Sequence, residues 1–307
     1  MAVGYESPIA AVMLMVTGLI IKSKAGEVNR RFWIRVVGVG AFFGLASFMQ
    51  PRWVLTTIIV AIIWALTYDN RKTQALILAG VVGVMAIAPV ALIARNSASG
   101  NGNVISTNLG VTMSLGAGDE TSGGYAHTGP NVPCKEGATD NEVVKCVIKW
   151  YAGHPVKAVK LFINKGFYYW SPWSGPIVNG TMARNPWLKI DPIQNIAQGS
   201  KQGHDFIYGV FGKIISWIWM LTCISLFFLG FFWLRSYKGI YSTLAYLAAL
   251  PVIASWIVGM GTIGDHRFRI PTMTLSLFLQ VIGYFALRHK VKTGSFARAL
   301  ESGAKAR

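Results

Sequence analysis

The sequence predicts an all-α polytopic membrane protein, with about seven transmembrane helices and one extracytoplasmic mixed loop domain. Three observations carry this prediction. Of 307 residues, 53% are hydrophobic and only 13% are charged, against roughly a quarter charged in a soluble domain. The apolar runs approach the ~20 residues that a helix needs to cross hydrocarbon. The cations behind the formal net charge of +17 gather in short loops between those runs. That is the pattern of a membrane protein's cytoplasmic loops rather than of a nucleic-acid-binding surface.

Seven spans are read at 8–21, 32–49, 54–68, 74–94, 206–234, 240–260 and 270–287, the first being the shortest. The chain accordingly divides into four spans over 1–94, a loop domain over 95–205, three spans over 206–287 and a basic tail over 288–307. Lys22, Lys24, Arg30, Arg31 and Arg35 fill the first loop. Arg71 and Lys72 fill the third, and Arg235 and Lys238 follow the fifth span. The tail adds Arg288, Lys290, Lys292, Arg298, Lys305 and Arg307. These alternate loops lie on one side, which the positive-inside rule makes cytoplasmic. The N-terminus, loop 50–53, stretch 95–205 and loop 261–269 then face outward. The expected location is a bacterial inner or plasma membrane, with the C-terminus cytoplasmic.

The long outward stretch opens on "RNSASGNGNVISTNLGVTMSLGAGDETSGGY". Its Gly, Ser, Thr and Asn suit either turns, short strands and a ligand-covering loop, or a plain linker. Further on, Thr139 and Glu142 fit a capping box that opens a helix, with Val143, Val147 and Trp150 on one face. Pro155 cannot continue that helix, so Gly153-His154-Pro155 ends it. A second helix follows, with Val156, Val159, Ile163 and Phe167 on one side and Lys157, Lys160 and Asn164 on the other. This reads as a helix lying in the outer membrane interface, with Tyr168, Tyr169, Trp170 and Trp173 at headgroup level, or as an ordinary packed helix. Cys134 and Cys146 are candidates for a disulfide or remain two thiols. No zinc-ligand spacing, phosphate-cradling loop, dinucleotide fingerprint or Ser/His/Asp signature is present, so no metal site and no cofactor is evident.

Arg52, Arg95, Arg267 and Arg269 each fall at the outer end of a span. Each either snorkels to lipid phosphate or joins the others around one anion, since guanidinium binds phosphate bidentately. Asp265 either pairs with Arg267 or Arg269 or completes that cluster. His266 is a structural residue, a proton carrier or a phosphate ligand. Pro271 holds the group at the first turn of the last span.

"HRFRIPTMTLSLFLQ" resembles the R-[FY]-R-x-P segment that precedes a late transmembrane helix in bacterial GT-C glycosyltransferases, relatives of the dolichyl-phosphate-mannose–protein mannosyltransferases. "NEVVKCVIKWYAGHPVKAVKLFINKGFYYWSP" is similar to their outer segment. "GAFFGLASFMQPRWVL" is similar to their G-L-A-x-L-x-R-P helix, with Pro51 preceding Arg52. The resemblance implies transfer of a sugar from a polyprenyl-phosphate carrier to an extracytoplasmic acceptor. The donor phosphate would be held by Arg267, Arg269, His266, Arg52 and Arg95. It also implies a carboxylate base, often with a divalent metal. The family's acid-bearing outer loop has no counterpart here, because loop 50–53 holds no acid. The chain is therefore expected to be the C-terminal portion of such an enzyme: a fragment, the product of a late start codon, or one half of a split protein whose N-terminal half another chain supplies. Asp119, Glu120 and Glu6 are substitute candidates for the base, or are solvated acids. The rival readings are a non-catalytic lipid-binding or flippase-like partner on the same scaffold, and a secondary transporter. The absence of mid-span charges speaks against the transporter.

Overall fold

The computed structural model describes residues 6–24, 28–100, 102–105, 108–119, 121–124, 132–171 and 210–293. Among these residues the regular structure is helical, with no strand. The order is α1 (Glu6–Lys24), α2 (Arg30–Met49), α3 (Trp53–Ala65), α4 (Arg71–Ala98), α5 (Leu109–Leu115), α6 (Asp140–Gly153), α7 (Pro155–Trp170), α8 (Val210–Arg235), α9 (Ile240–Gly261), a 3₁₀ turn (His266–Thr272) and α10 (Met273–Thr293). Among the described residues, six helical segments are long and apolar enough to cross a membrane. The protein is thus an all-α, multi-pass membrane protein. The segment that falls short is α3, not the first: α1 has 19 residues and α3 only 13. At 1.5 Å per residue, α3 reaches about 20 Å, less than the ~30 Å of hydrocarbon.

The chain forms two compact units. The first comprises Met1–Pro89, Cys223–Ile253 and Pro271–Arg307. Its helices start on local signals. The Asn29 side chain accepts from the backbone N–H of Arg31 and Phe32 and caps α2. Asn70 does the same for Lys72 and Thr73 at the start of α4. Such capping satisfies donors that a helix start would otherwise leave open. On α4, Ile77, Val81 and Met85 recur every fourth residue and are buried. Ile34, Val37, Leu45 and Phe48 of α2 are large, apolar and exposed, as the lipid-facing side of a span must be.

Small residues set how closely these helices approach. A Cβ added at Gly40 would lie 2.8 Å from Val84 Cβ and 2.9 Å from the Val81 carbonyl oxygen, so α2 and α4 meet there backbone to side chain. The same device joins α8 and α10 at Gly230 and Gly283, where the two backbones touch. Between the spans, Phe32 packs against Trp64 and Tyr68, and the Tyr68 hydroxyl donates to the Ser23 carbonyl.

The second unit comprises Val90–Thr222 and Ala254–Ile270. Its Gly-rich part was open to short strands by composition. It instead supplies α5, which packs on α6 by donating Leu109 and Gly110 N–H groups to the Asp140 carboxylate (3.2 and 2.7 Å). The capping box is present: the Thr139 N–H donates to Glu142 Oε2 at 2.8 Å. That bond, with the one from the Thr139 hydroxyl, holds the Glu142 carboxyl below its ordinary range. Pro155 sits at the first turn of α7, and His154 closes α6 by stacking on Trp150 at 4.8 Å.

Cys134 and Cys146 form a disulfide, with Cα atoms 6.0 Å apart and a sequence separation of 12. It flanks a core of Ala117, Val132, Val147, Trp150 and Leu161. Closing a loop of that length constrains the unfolded chain by about 3 kcal/mol. Reduction, or the C134S/C146S double substitution, is therefore expected to lower the thermal unfolding midpoint, read from tryptophan fluorescence. An unchanged midpoint would show that the bridge adds nothing.

Of the two readings of α7, the aromatic end fits a packed helix: Tyr168, Tyr169 and Trp170 are buried. Trp170 packs edge-on to Trp256 at 5.5 Å, and Trp256 donates its indole N–H to the Gly166 carbonyl at 3.0 Å. Edge-to-face packing at that separation is a preferred aromatic arrangement. The side carrying Val156 (85% exposed), Val159 and Ile163 is the one left uncovered.

Candidate functional site

The turn between α9 and α10 is fastened along the buried face of α7. Lys165 Nζ donates to the Thr262 carbonyl at 2.6 Å. The Gly264 N–H donates to the Gly123 carbonyl at 2.9 Å. Arg269 Nη1 donates to the Trp170 carbonyl at 3.0 Å, and its guanidinium lies 5.9 Å from the Trp170 ring centroid. From α9, the Ser255 hydroxyl donates to the Phe268 carbonyl at 2.9 Å.

Asp265, nearly buried, shapes the turn itself. One carboxylate oxygen accepts from the Arg267 backbone N–H at 2.9 Å, and the other from Arg267 Nε at 3.2 Å. The pairing of Asp265 is thus with Arg267. Half of the Arg267 side chain, 52%, nonetheless remains solvent-accessible. Two guanidinium groups stand on this turn against one carboxylate. His266 opens the turn.

Lys165 is the residue that sequence reasoning passed over. It is 1% exposed. Its amine donates to the Tyr151 hydroxyl at 2.8 Å and to the Thr262 carbonyl, and lies 5.4 Å from the Tyr151 ring centroid. Both hydrogen-bond partners are neutral. Glycines make room for the chain. A Cβ at Gly116 would meet the Thr262 carbonyl at 2.5 Å and Lys165 Cε at 3.2 Å. One at Gly123 would meet Lys165 Cγ at 2.9 Å, and one at Gly264 would meet Lys165 Cα at 2.9 Å. Gly123 also has φ +98°, a conformation open to glycine at little cost. Burial pushes the Lys165 amine down to about 7 and the Tyr151 hydroxyl up to about 12. In both groups burial disfavours the charged form. The available signal was positional: Lys165 follows Leu161 by four residues and precedes Tyr168 by three, so it sits in an apolar stripe. Tyr151 also lines an apolar cavity of about 180 Å³, with Met113, Ala158, Phe162, Met260 and Gly261.

The other candidates have separate settings. Arg95 bonds the Asn96 side chain through Nε and Nη2, and Asn96 in turn holds the Val104 carbonyl at 2.8 Å. Arg52 belongs to the first unit, with its guanidinium 5.4 Å from the Trp53 ring centroid. Asp119 pairs with Lys157, and that hydrogen bond holds its carboxyl below the usual range. Lys160 is exposed, and Glu6 lies in the first turn of α1. Glu120 and Trp173 lie outside the described residues. Among the described residues, no three His, Cys, Asp or Glu side chains gather to hold a metal ion, so the divalent metal that the resemblance implies finds no donor set there.

The fold and this turn define a polytopic α-helical membrane protein with a cationic turn fixed to its second unit. No family model matches the chain, and no curated protein or solved structure matches it significantly.

Proposed function

We propose that the protein is a membrane glycosyltransferase, or the donor-binding part of one, in which the turn 264–269 faces the extracytoplasmic leaflet and holds a polyprenyl-phosphate headgroup. The observation that carries this reading is the charge balance of the fastened turn. Asp265 takes the Nε edge of Arg267 and leaves half of that side chain accessible, while Arg269 adds a second guanidinium. A phosphate monoester or diester at a membrane surface suits such a pair. The apolar cavity beside Tyr151 gives nearby room for part of an apolar chain.

Sugar transfer breaks the bond between the anomeric carbon and the carrier phosphate oxygen, and the electron pair stays on the phosphate. The acceptor oxygen bonds the anomeric carbon and gives up its proton to a base. Guanidinium groups against the departing phosphate would stabilise the charge that develops there. Arg267 would contribute most, because Arg269 also anchors the turn to Trp170.

The test is binding of polyprenyl phosphate, and of the neutral polyprenol, to the full chain in lipid nanodiscs. R267Q is expected to weaken phosphate binding at least about tenfold, or ~1.4 kcal/mol, and to leave polyprenol binding unchanged. Equal phosphate affinities for wild type and variant would reject the site. A second reading, a non-catalytic lipid-binding or flippase-like partner, is favoured by one observation: Asp119 is engaged by Lys157 rather than poised as a base. Arg267-dependent binding without sugar transfer from a labelled polyprenyl-phosphate sugar would select that reading.

A further inference from the structure

We propose that Lys165 is a positioning residue: its amine latches the turn that carries Arg267 and Arg269 onto the α6–α7 pair and thereby sets the anion-binding geometry. This rests on the anion-binding reading of the turn given above.

The argument begins with what the amine touches. Its two hydrogen bonds run to different elements, the Tyr151 hydroxyl on α6 and the Thr262 carbonyl where α9 gives way to the turn. Lys165 itself is on α7. One nitrogen therefore joins three segments that the sequence places 14 and 97 residues apart. The Thr262 carbonyl lies three residues before Asp265, whose carboxylate shapes the turn and orients Arg267. The second fastening, Gly264 to Gly123, packs Gly264 against the Lys165 backbone. Withdrawing the amine would leave the Thr262 carbonyl without this donor and let the turn lift at its first residue, while the Arg269–Trp170 bond still held its far end.

Packing alone gives no reason for an amine at this position. The stem of Lys165 lies among three glycines and an aromatic ring, a site that methionine would fill without burying an ionisable group. Tyr151 and Thr262 accept the two hydrogen bonds that the amine makes, one on each side of it in the chain. The residue is hydrogen-bonded as a latch, not paired as a counter-ion.

The experiment uses the full chain in nanodiscs, with polyprenyl phosphate and polyprenol as probes and backbone hydrogen exchange as a second readout. K165M is expected to bind polyprenyl phosphate at least about tenfold more weakly and polyprenol unchanged, with exchange accelerated at 262–268 and not in α10. Y151F removes one acceptor and keeps the shape; it is expected to weaken phosphate binding at least about threefold. Wild-type phosphate affinity and exchange in K165M would overturn the latch. If K165M does not fold, Y151F decides: wild-type phosphate affinity in Y151F overturns the proposal. R267Q separates the two readings. If R267Q leaves phosphate binding intact, the anion site itself fails. If R267Q weakens binding and K165M does not, only the latch fails.

Discussion

Replacing Gly230 or Gly283 by alanine is expected to destabilise the first unit by at least about 2 kcal/mol, although alanine is the better helix former by about 1 kcal/mol. The opposing signs make the experiment decisive. A Cβ at Gly230 would press directly on the Leu279 carbonyl oxygen and lie 2.9 Å from Gly283 N. A Cβ at Gly283 would press on the Leu226 carbonyl oxygen. In each case the obstacle is backbone, which cannot rotate away as a side-chain end can. The helices α8 and α10 would have to separate along the whole contact. Within a bilayer that separation is costly, because close van der Waals packing is the main attraction between apolar helices. Gly18 and Gly83 are the controls, since nothing lies within 4 Å of a Cβ placed at either. G18A and G83A are expected to raise the unfolding midpoint slightly or leave it unchanged, while G230A and G283A lower it. A midpoint for G230A equal to that of G18A would show that this crossing is not close in the membrane.

The second large effect is a dependence of stability on pH that belongs to Lys165. In the unfolded chain the amine keeps its proton up to about 10.5; in the folded chain burial lets the proton go near 7. Between these values the unfolded state binds one proton more than the folded state, so stability rises with pH. Below about 7 both states are protonated, and the full cost of burying the charge is present. The slope is about 1.4 kcal/mol per pH unit, and the whole window is worth on the order of 5 kcal/mol. Tyr151 stays neutral throughout that window, because burial pushes it up to about 12, so it offers no compensating anion.

K165M cannot titrate, so the difference in unfolding midpoint between it and the wild type isolates this term from the other groups. The wild type is expected to gain on K165M steadily from pH 7 to pH 10, and K165M to be the more stable protein at pH 6. A difference that does not change with pH would mean that the amine is hydrated rather than enclosed. The combination expected for K165M, firmer folding at low pH with weaker phosphate binding, is the mark of a residue kept for position rather than for stability.

How much of this was legible in the sequence varies with the range of the interaction. The capping box at Thr139 and Glu142, the break at His154-Pro155 and the Cys134–Cys146 bridge are set by residues at most 12 apart. Local chemistry suffices for each. Six of the seven expected spans have described helices long enough for hydrocarbon, because its thickness imposes length on composition, and α3 does not. What stays open in the sequence is which neighbour each helix face meets. The apolar side of α7 with Val156, Val159 and Ile163 is the uncovered one, and the side with Leu161, Lys165 and Tyr169 is packed. Both sides carry large apolar residues, so periodicity could not choose between them. Trp170 suits a headgroup layer or a packed helix by residue type alone; its burial against Trp256, 86 residues on, is a contact of the tertiary structure. The hydrogen bonds of Arg95, Arg267 and Arg269 run to Asn96, Asp265 and Trp170, and no one-dimensional pattern names such partners.

By itself the sequence determined that this chain is helical and crosses a membrane several times, since burying backbone in hydrocarbon leaves an apolar chain few other choices. It also determined the capped start at Thr139 and the break at His154-Pro155. Only the tertiary structure decided that Lys165 is enclosed and that the cationic turn is held against α7. The groups that enclose the amine come from Gly116, Gly123, Tyr151, Thr262 and Gly264. A lysine in a sequence is a solvated cation by default, and only chain segments brought together from a distance can take its water away.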